Sequence, residues 1–173
     1  MSNSHVKVFD TISPVYAWFF KFQVVYYRKV QEILKKHLPL ADYKRVLDVG
    51  CGTGPLCYVL KEAGFETYGI EVSKGMLEQA LKRLKGMDIK VYKIEPGEKF
   101  PFEKDFFDIA IASYVAHGIK KEEREMLYKE MSRVAKNYVI LHDYHKNNDL
   151  LTAFVEWLEG GDYFNFVEEV EEE

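Results

Sequence analysis

The run Val46-Leu47-Asp48-Val49-Gly50-Cys51-Gly52-Thr53-Gly54-Pro55 constrains this chain more than any other segment. Apolar Val46, Leu47 and Val49 form a short buried strand of the parallel type. The glycines that follow permit positive φ and let a ligand approach the backbone closely. Pro55 suits the first turn of a helix, where its missing N–H costs nothing. Strand, glycine turn and helix start, in that order, place a cofactor against the turn and beside the helix N-terminus.

From residue 45 onward the pattern alternates strand and helix, which implies a parallel α/β sheet. Strands are expected at 45–49, 66–71, 88–93, 107–112 and 138–142. Helices are expected near 55–63, after a Ser73 cap with Met76, Leu77, Ala80, Leu81 and Leu84 on one face, and at 121–134 with Met126, Leu127 and Met131 inward. A last helix, capped by Asp149, carries Leu150, Leu151, Phe154 and Trp157 and stops at Gly160-Gly161. Ahead of the sheet, residues 1–13 read as a polar arm. Residues 14–38 read as a helix whose apolar stripe is Val15, Trp18, Phe19, Phe22, Val25, Tyr26, Val30, Ile33 and Leu34, ended by Pro39. Its aromatic density suits core packing or a mobile lid over a cofactor and an apolar substrate. A membrane-surface helix is a third reading, weakened by a thin basic polar face.

The glycine spacing discriminates between ligands. Dinucleotide sites use G-x-G-x-x-G; here Gly50, Gly52 and Gly54 alternate, and Asp48 stands two residues before the first. A carboxylate there repels a pyrophosphate and suits a positively charged ligand without phosphates, such as S-adenosylmethionine. The run resembles the E/D-x-G-x-G-x-G motif of class I S-adenosylmethionine-dependent methyltransferases. Two further segments strengthen the resemblance. Residues 95–108, with Glu98, Pro101-Phe102 and Asp108, are similar to the G-D-A-E-x-L-P-F-x-D-x-S-F-D signature of small-molecule members, except that Pro96 stands where the family has its adenine-binding Asp. Phe9, Asp10, Ile12 and Tyr16 resemble the F-D-x-I-A-x-x-Y-D opening of the quinone-biosynthesis group.

The resemblance covers about residues 8–145 and implies one domain, 1–173: an N-terminal helical lid (1–40) on a Rossmann-like three-layer core (41–173) with sheet order 3-2-1-4-5. The family's C-terminal 7-6 hairpin is expected to be absent, since the chain ends in Glu168-Glu169-Val170-Glu171-Glu172-Glu173, which reads as the end of a chain shorter than the gene product or as a solvated acidic tail. The cofactor contacts implied are Tyr16, Asp48, Gly50, Cys51, Gly52, Thr53, Gly54, Glu71, Val72, Met76, Glu95, Pro96, Gly97, Glu98, Ser113 and Tyr114. Glu71 closes the second strand, where an acidic residue accepts hydrogen bonds from ribose hydroxyls; a helix cap is the competing role. His117, Tyr114, His142 and Asp143 lie at strand ends facing the ligand crevice and are the candidates for moving a proton. No residue pattern places a third metal ligand beside His142 and His145, so no metal is expected.

Composition limits the alternatives. A chain of 173 residues with 47% hydrophobic content supports one sizeable core. A net charge of -4 argues against wrapping nucleic acid. The two cysteines, Cys51 and Cys57, make no disulfide framework, and neither a secretory signal nor a membrane-spanning run is visible, so the cytoplasm is the expected compartment and stable membrane insertion is not expected. The expected activity is methyl transfer from S-adenosylmethionine, leaving S-adenosylhomocysteine, to a small-molecule acceptor of apolar or aromatic character. The competing readings are a non-catalytic protein that binds the same cofactor and a nucleotide-dependent oxidoreductase.

Overall fold

A computed structural model describes residues 3–143, with side chains from residue 6 onward. Its sheet has β1 (Arg45–Val49), β2 (Glu66–Glu71), β3 (Lys90–Lys93), β4 (Phe107–Ser113) and β5 (Ala135–His142). They pair in parallel in the order β3-β2-β1-β4-β5. This is the expected Rossmann-like order, and β1 lies at its centre, with Val49 beside Ile70 and Ala112. The last helix and the hairpin considered above fall outside the described residues.

Alternation along the strands builds the three layers. Leu47 and Val49 point to one face, where Tyr68, Ile70, Phe100 and Phe107 meet Met131 and Val134 of α5 (Lys121–Val134). Val46, Ile109 and Ile111 point to the other, against Leu56, Val59 and Leu60 of α3 (Pro55–Glu62) and against Phe20, Val24 and Tyr27 of α2 (Phe20–His37). Next to α3 lies α4 (Lys74–Arg83), joined to it through Cys51, Cys57, Ala80 and Leu84. Leu81 and Met126, expected inward, are exposed. Met126 instead stands beside Gly97, its Cε 3.9 Å from where a Cβ there would be.

The N-terminal segment departs most from expectation. The supposed polar arm is helical: α1 spans Asn3–Trp18, with Pro14 inside it. Pro14 lacks the N–H that would bond the Asp10 carbonyl, and Ser13 Oγ donates to that carbonyl instead, at 3.1 Å. The helix then breaks at Phe19 (φ -80°, ψ 0°) and restarts. The break changes which aromatics face inward. Phe20, Val24, Tyr27 and Gln31 are buried, with Phe20 edge-on to Tyr58 and under Arg83. Much of the expected stripe faces solvent: Trp18 is 77% exposed and Phe22 74%, and Val15, Phe19, Val25, Tyr26 and Ile33 are also exposed.

Candidate functional site

The carboxyl ends of β1, β2 and β4 open into a cavity of about 610 Å³, roofed by α1 and α2. Open parallel sheets bind ligands at this edge, where strand order reverses. Here the reversal lies between β1 and β4, beside the glycine turn. Phe9 and Tyr16 reach the cavity from α1, and Gln23 and Tyr27 from α2. Asp10 holds α1 in this place: its Oδ1 accepts from Ser73 Oγ at 2.7 Å and from Gly75 N at 2.8 Å, at the start of α4. The Ser73 hydroxyl and the Gly75 N–H keep the Asp10 carboxyl below its ordinary pKa. Ser73 Oγ in turn accepts from Met76 N, the expected cap of α4. Arg83 Nη2 donates to the Ala17 carbonyl at 2.8 Å and secures the far end of α1.

Four backbone N–H groups of the glycine turn are taken up by internal hydrogen bonds. Gly50 N and Cys51 N donate to the Ile70 carbonyl, and Gly54 N donates to the Cys51 carbonyl. Gly52 N donates to Glu71 Oε2 at 2.8 Å, and Pro55 has no N–H. A dinucleotide turn needs such N–H groups aimed at pyrophosphate; here four are committed internally, one of them to a carboxylate. Glu71 Oε1 accepts from Ser73 N at 2.8 Å. Glu71 therefore ties the turn to the start of α4 while lining the cavity. Burial raises its pKa, against the lowering effect of the Ser73 and Gly52 N–H groups.

The wall has places for a ligand carrying donors. Gly52 (φ +56°) has nothing within 4 Å of the position a Cβ would take, so its backbone faces open space. Among the described residues, Thr53 Oγ1 and Gln23 Oε1 are buried without a hydrogen-bond partner, and both residues line the cavity. Buried polar atoms left unpaired are costly, and these two lie just behind the wall, not on its surface. The wall fits S-adenosylmethionine: Glu71, Glu95 and Glu98 line the space a cationic ligand would take, and four of the turn's N–H groups are already engaged.

Opposite the turn, two polar groups meet the cavity. His117 Nδ1 lies 2.6 Å from Asp143 Oδ1, and Asp143 Oδ2 accepts from Ala116 N at 2.9 Å. Both side chains are buried. Asp143 accepts the hydrogen bond of the proton on Nδ1, so the nitrogen that changes protonation is Nε2. Tyr114 sits at φ +56°, a conformation rare for a residue with a large side chain. It is held there by its N–H on the His142 carbonyl and by a 2.6 Å contact between its hydroxyl and that of Tyr26. His142 closes the group, Nε2 on Tyr26 and Nδ1 on Ser113 Oγ, with burial lowering its pKa.

The cavity wall brings together Tyr16, Gly50, Cys51, Gly52, Thr53, Glu71, Val72, Met76, Glu95, Pro96, Gly97, Glu98, Ser113, Tyr114 and His117 of the residues expected there. Four others stand behind it. Asp48 lies beneath the turn, 1% exposed, accepting a hydrogen bond from Cys57 Sγ, and burial lifts its pKa to about 7. Gly54 is tight against α4, since a Cβ would stand 2.7 Å from Leu84 Cδ1. His142 and Asp143 bond to Tyr114, Ser113 and His117 rather than forming the wall. Glu98 folds back on its own loop, where its Oε2 accepts from Glu95 N. Gln23, Tyr27, Val115 and Met126 line the cavity without having been expected as site residues. For Gln23 and Tyr27 the only available signal was a polar group within an apolar helix.

A family model described as a methyltransferase domain matches residues 46–138. The uncharacterized methyltransferase YcgJ of Bacillus subtilis (strain 168) is 29% identical over 119 residues, 66% of this chain and 46% of its own length. The sterol 4-C-methyltransferase strm-1 of Caenorhabditis elegans is 29% identical over 135 residues, 70% of this chain and 40% of its own length. The chain thus spans less than half the length of these curated relatives. Among solved structures, the PH0226 protein of Pyrococcus horikoshii OT3 superposes with a TM-score of 0.63 at 27% identity, covering 76% of this chain and 60% of that one.

Proposed function

Since the chain belongs to the methyltransferase-domain family, within the class I S-adenosylmethionine-dependent methyltransferases, we propose that it methylates a small-molecule acceptor in the cavity described above. The observation that carries this reading is the wall itself. Its glycine turn has committed the N–H groups of Gly50, Cys51, Gly52 and Gly54 internally, and Glu71 lines the same space. S-adenosylmethionine supplies an electrophilic methyl group on a positively charged sulfur. The chain's own residues bind, orient and exclude water. Gly52 permits close approach, Glu71 offers carboxylate lone pairs beside the turn, and Phe9, Tyr16 and Tyr27 shield the chamber from solvent. When the acceptor must lose a proton, His117 Nε2 takes it, and Asp143 holds the ring tautomer and stabilises the imidazolium that forms.

An acceptor need not be known to test this. The chain is incubated with methyl-labelled S-adenosylmethionine and the small-molecule fraction of a cell extract, and products are followed by mass spectrometry. The proposal expects label in a low-molecular-weight product, with a rate for His117→Gln that is lower and has lost the wild-type pH dependence. Label confined to protein or nucleic acid, or no transfer despite cofactor binding, would refute the acceptor assignment.

A further inference from the structure

The outward side of α2 has the wrong character for a solvated helix. Its packed stripe is Phe20, Val24, Tyr27 and Gln31. On the opposite side, Phe22, Val25, Lys29, Ile33 and Lys36 recur at three- and four-residue steps. Phe22 is 74% exposed, Val25 54% and Ile33 55%, and Trp18 adds the most exposed aromatic at the preceding break. A solvated helix puts charge, not a run of large apolar groups, on this side, and such a run marks a surface that meets something.

Charge identifies the partner. Residues 3–37 carry six Lys and Arg against two Asp and Glu, whereas residues 38–143 carry seventeen of each. The described chain is thus neutral in its body and positive in its helical roof. Arg28 is engaged with Glu62 and Lys35 with Glu32. No ion pair is formed by Lys21, Lys29 or Lys36 among the described residues; Lys29 and Lys36 share the outward side with the apolar groups, and Lys21 flanks it. The surface is a convex helix, not a groove, and mixes an exposed tryptophan with lysines whose stems can lie along apolar surface while their heads reach anions. No helix among the described residues is long and apolar enough to cross a membrane. We propose that this face binds reversibly to an anionic lipid bilayer, lying in its interface with Trp18 and Phe22 among the headgroups and Lys21, Lys29 and Lys36 on lipid phosphates. The inner sides of the same two helices roof the cavity. A docked helix pair therefore sets the cavity next to the bilayer surface, where an apolar acceptor would be concentrated. The surface stands independently of the methyl-transfer reading.

The test is co-sedimentation of the full chain with vesicles of phosphatidylcholine alone and of phosphatidylcholine with phosphatidylglycerol. Emission of Trp18 is followed in a Trp157→Phe background. The proposal expects binding only to the anionic vesicles, a blue shift of Trp18, loss of binding in high salt, and at least about a tenfold weaker partition for Trp18→Ser/Phe22→Ser and for Lys21→Glu/Lys29→Glu. S-adenosylhomocysteine affinity should stay unchanged in these variants, since none of the four residues lines the cavity. Absence of binding to either vesicle, or binding indifferent to both double variants, overturns the proposal. So does a concentration-dependent dimer in light scattering that Phe22→Ser dissolves without any effect of lipid, because the face would then belong to a second copy of the chain.

Discussion

Replacing Glu71 with alanine separates ligand binding from architecture. Both carboxylate oxygens accept backbone N–H groups, Gly52 N and Ser73 N, each at 2.8 Å. Alanine leaves both donors without their partner. A buried unpaired donor costs about 1–3 kcal/mol. The Gly52 N–H borders the cavity, where water can reach it, so it falls at the low end. Removing a carboxylate whose pKa is raised by burial returns part of the loss. The net destabilisation of the cofactor-free protein is therefore about 2–4 kcal/mol, or roughly 4–16 °C in Tm for a chain of this size. Glu71→Gln keeps one acceptor oxygen and should fall between wild type and alanine. Calorimetric unfolding without cofactor gives the ranking, and titration with S-adenosylhomocysteine gives affinity. A Glu71→Ala protein that melts within about 1 °C of wild type yet has lost its cofactor affinity would refute the tie between turn and α4. The carboxylate would then serve the ribose alone.

Gly52→Ala should weaken S-adenosylhomocysteine binding with little change in Tm beyond the strain of its φ of +56°, because its Cβ meets nothing within the protein. Gly50→Val should chiefly unfold it, because a Cβ there stands 2.6 Å from Val115 Cγ2; equal Tm losses for the two would contradict this division. Asp48 has a folded pKa of about 7 against an ordinary 3.8, so the native state keeps a proton that the unfolded chain releases. Its stabilising effect is complete below pH ~4 and is lost as pH rises through 7, over a range on the order of 4 kcal/mol. Asp48→Asn should flatten that part of the urea-stability profile, leaving the smaller slope of Glu71; parallel profiles would refute it. Asp10→Ala removes the acceptor for Ser73 Oγ and Gly75 N. It should cost about 1–2 kcal/mol and speed hydrogen exchange in α1 while leaving the strands protected.

The sheet was legible because its signals are local. Continuous apolar runs, glycine turns and the Ser73 cap each determine their own neighbourhood, and strand order followed from the family resemblance. The roof was not, because Pro14 and the break at Phe19 change the phase of the helix. A periodicity read across residues 14–38 therefore assigned Phe22 and Val25 to the wrong side. Motif position put Asp48 and Gly54 near the cofactor, but position in a motif does not say which way a side chain points. Asp48 turns beneath the backbone towards Cys57, and Gly54 is required by Leu84. The pairing of His117 with Asp143 joins residues 26 positions apart and depends on where β4 and β5 end together. Such a contact leaves no trace in spacing.

The central claim is that the glycine turn receives a cationic, phosphate-free cofactor. Isothermal titration of the purified chain with S-adenosylhomocysteine and, separately, with NAD tests it most directly. The turn's internally committed N–H groups and the Glu71 carboxylate predict saturable binding of S-adenosylhomocysteine, lost in Gly52→Val, and no detectable heat with NAD. Binding of NAD as tight as that of S-adenosylhomocysteine would contradict the account.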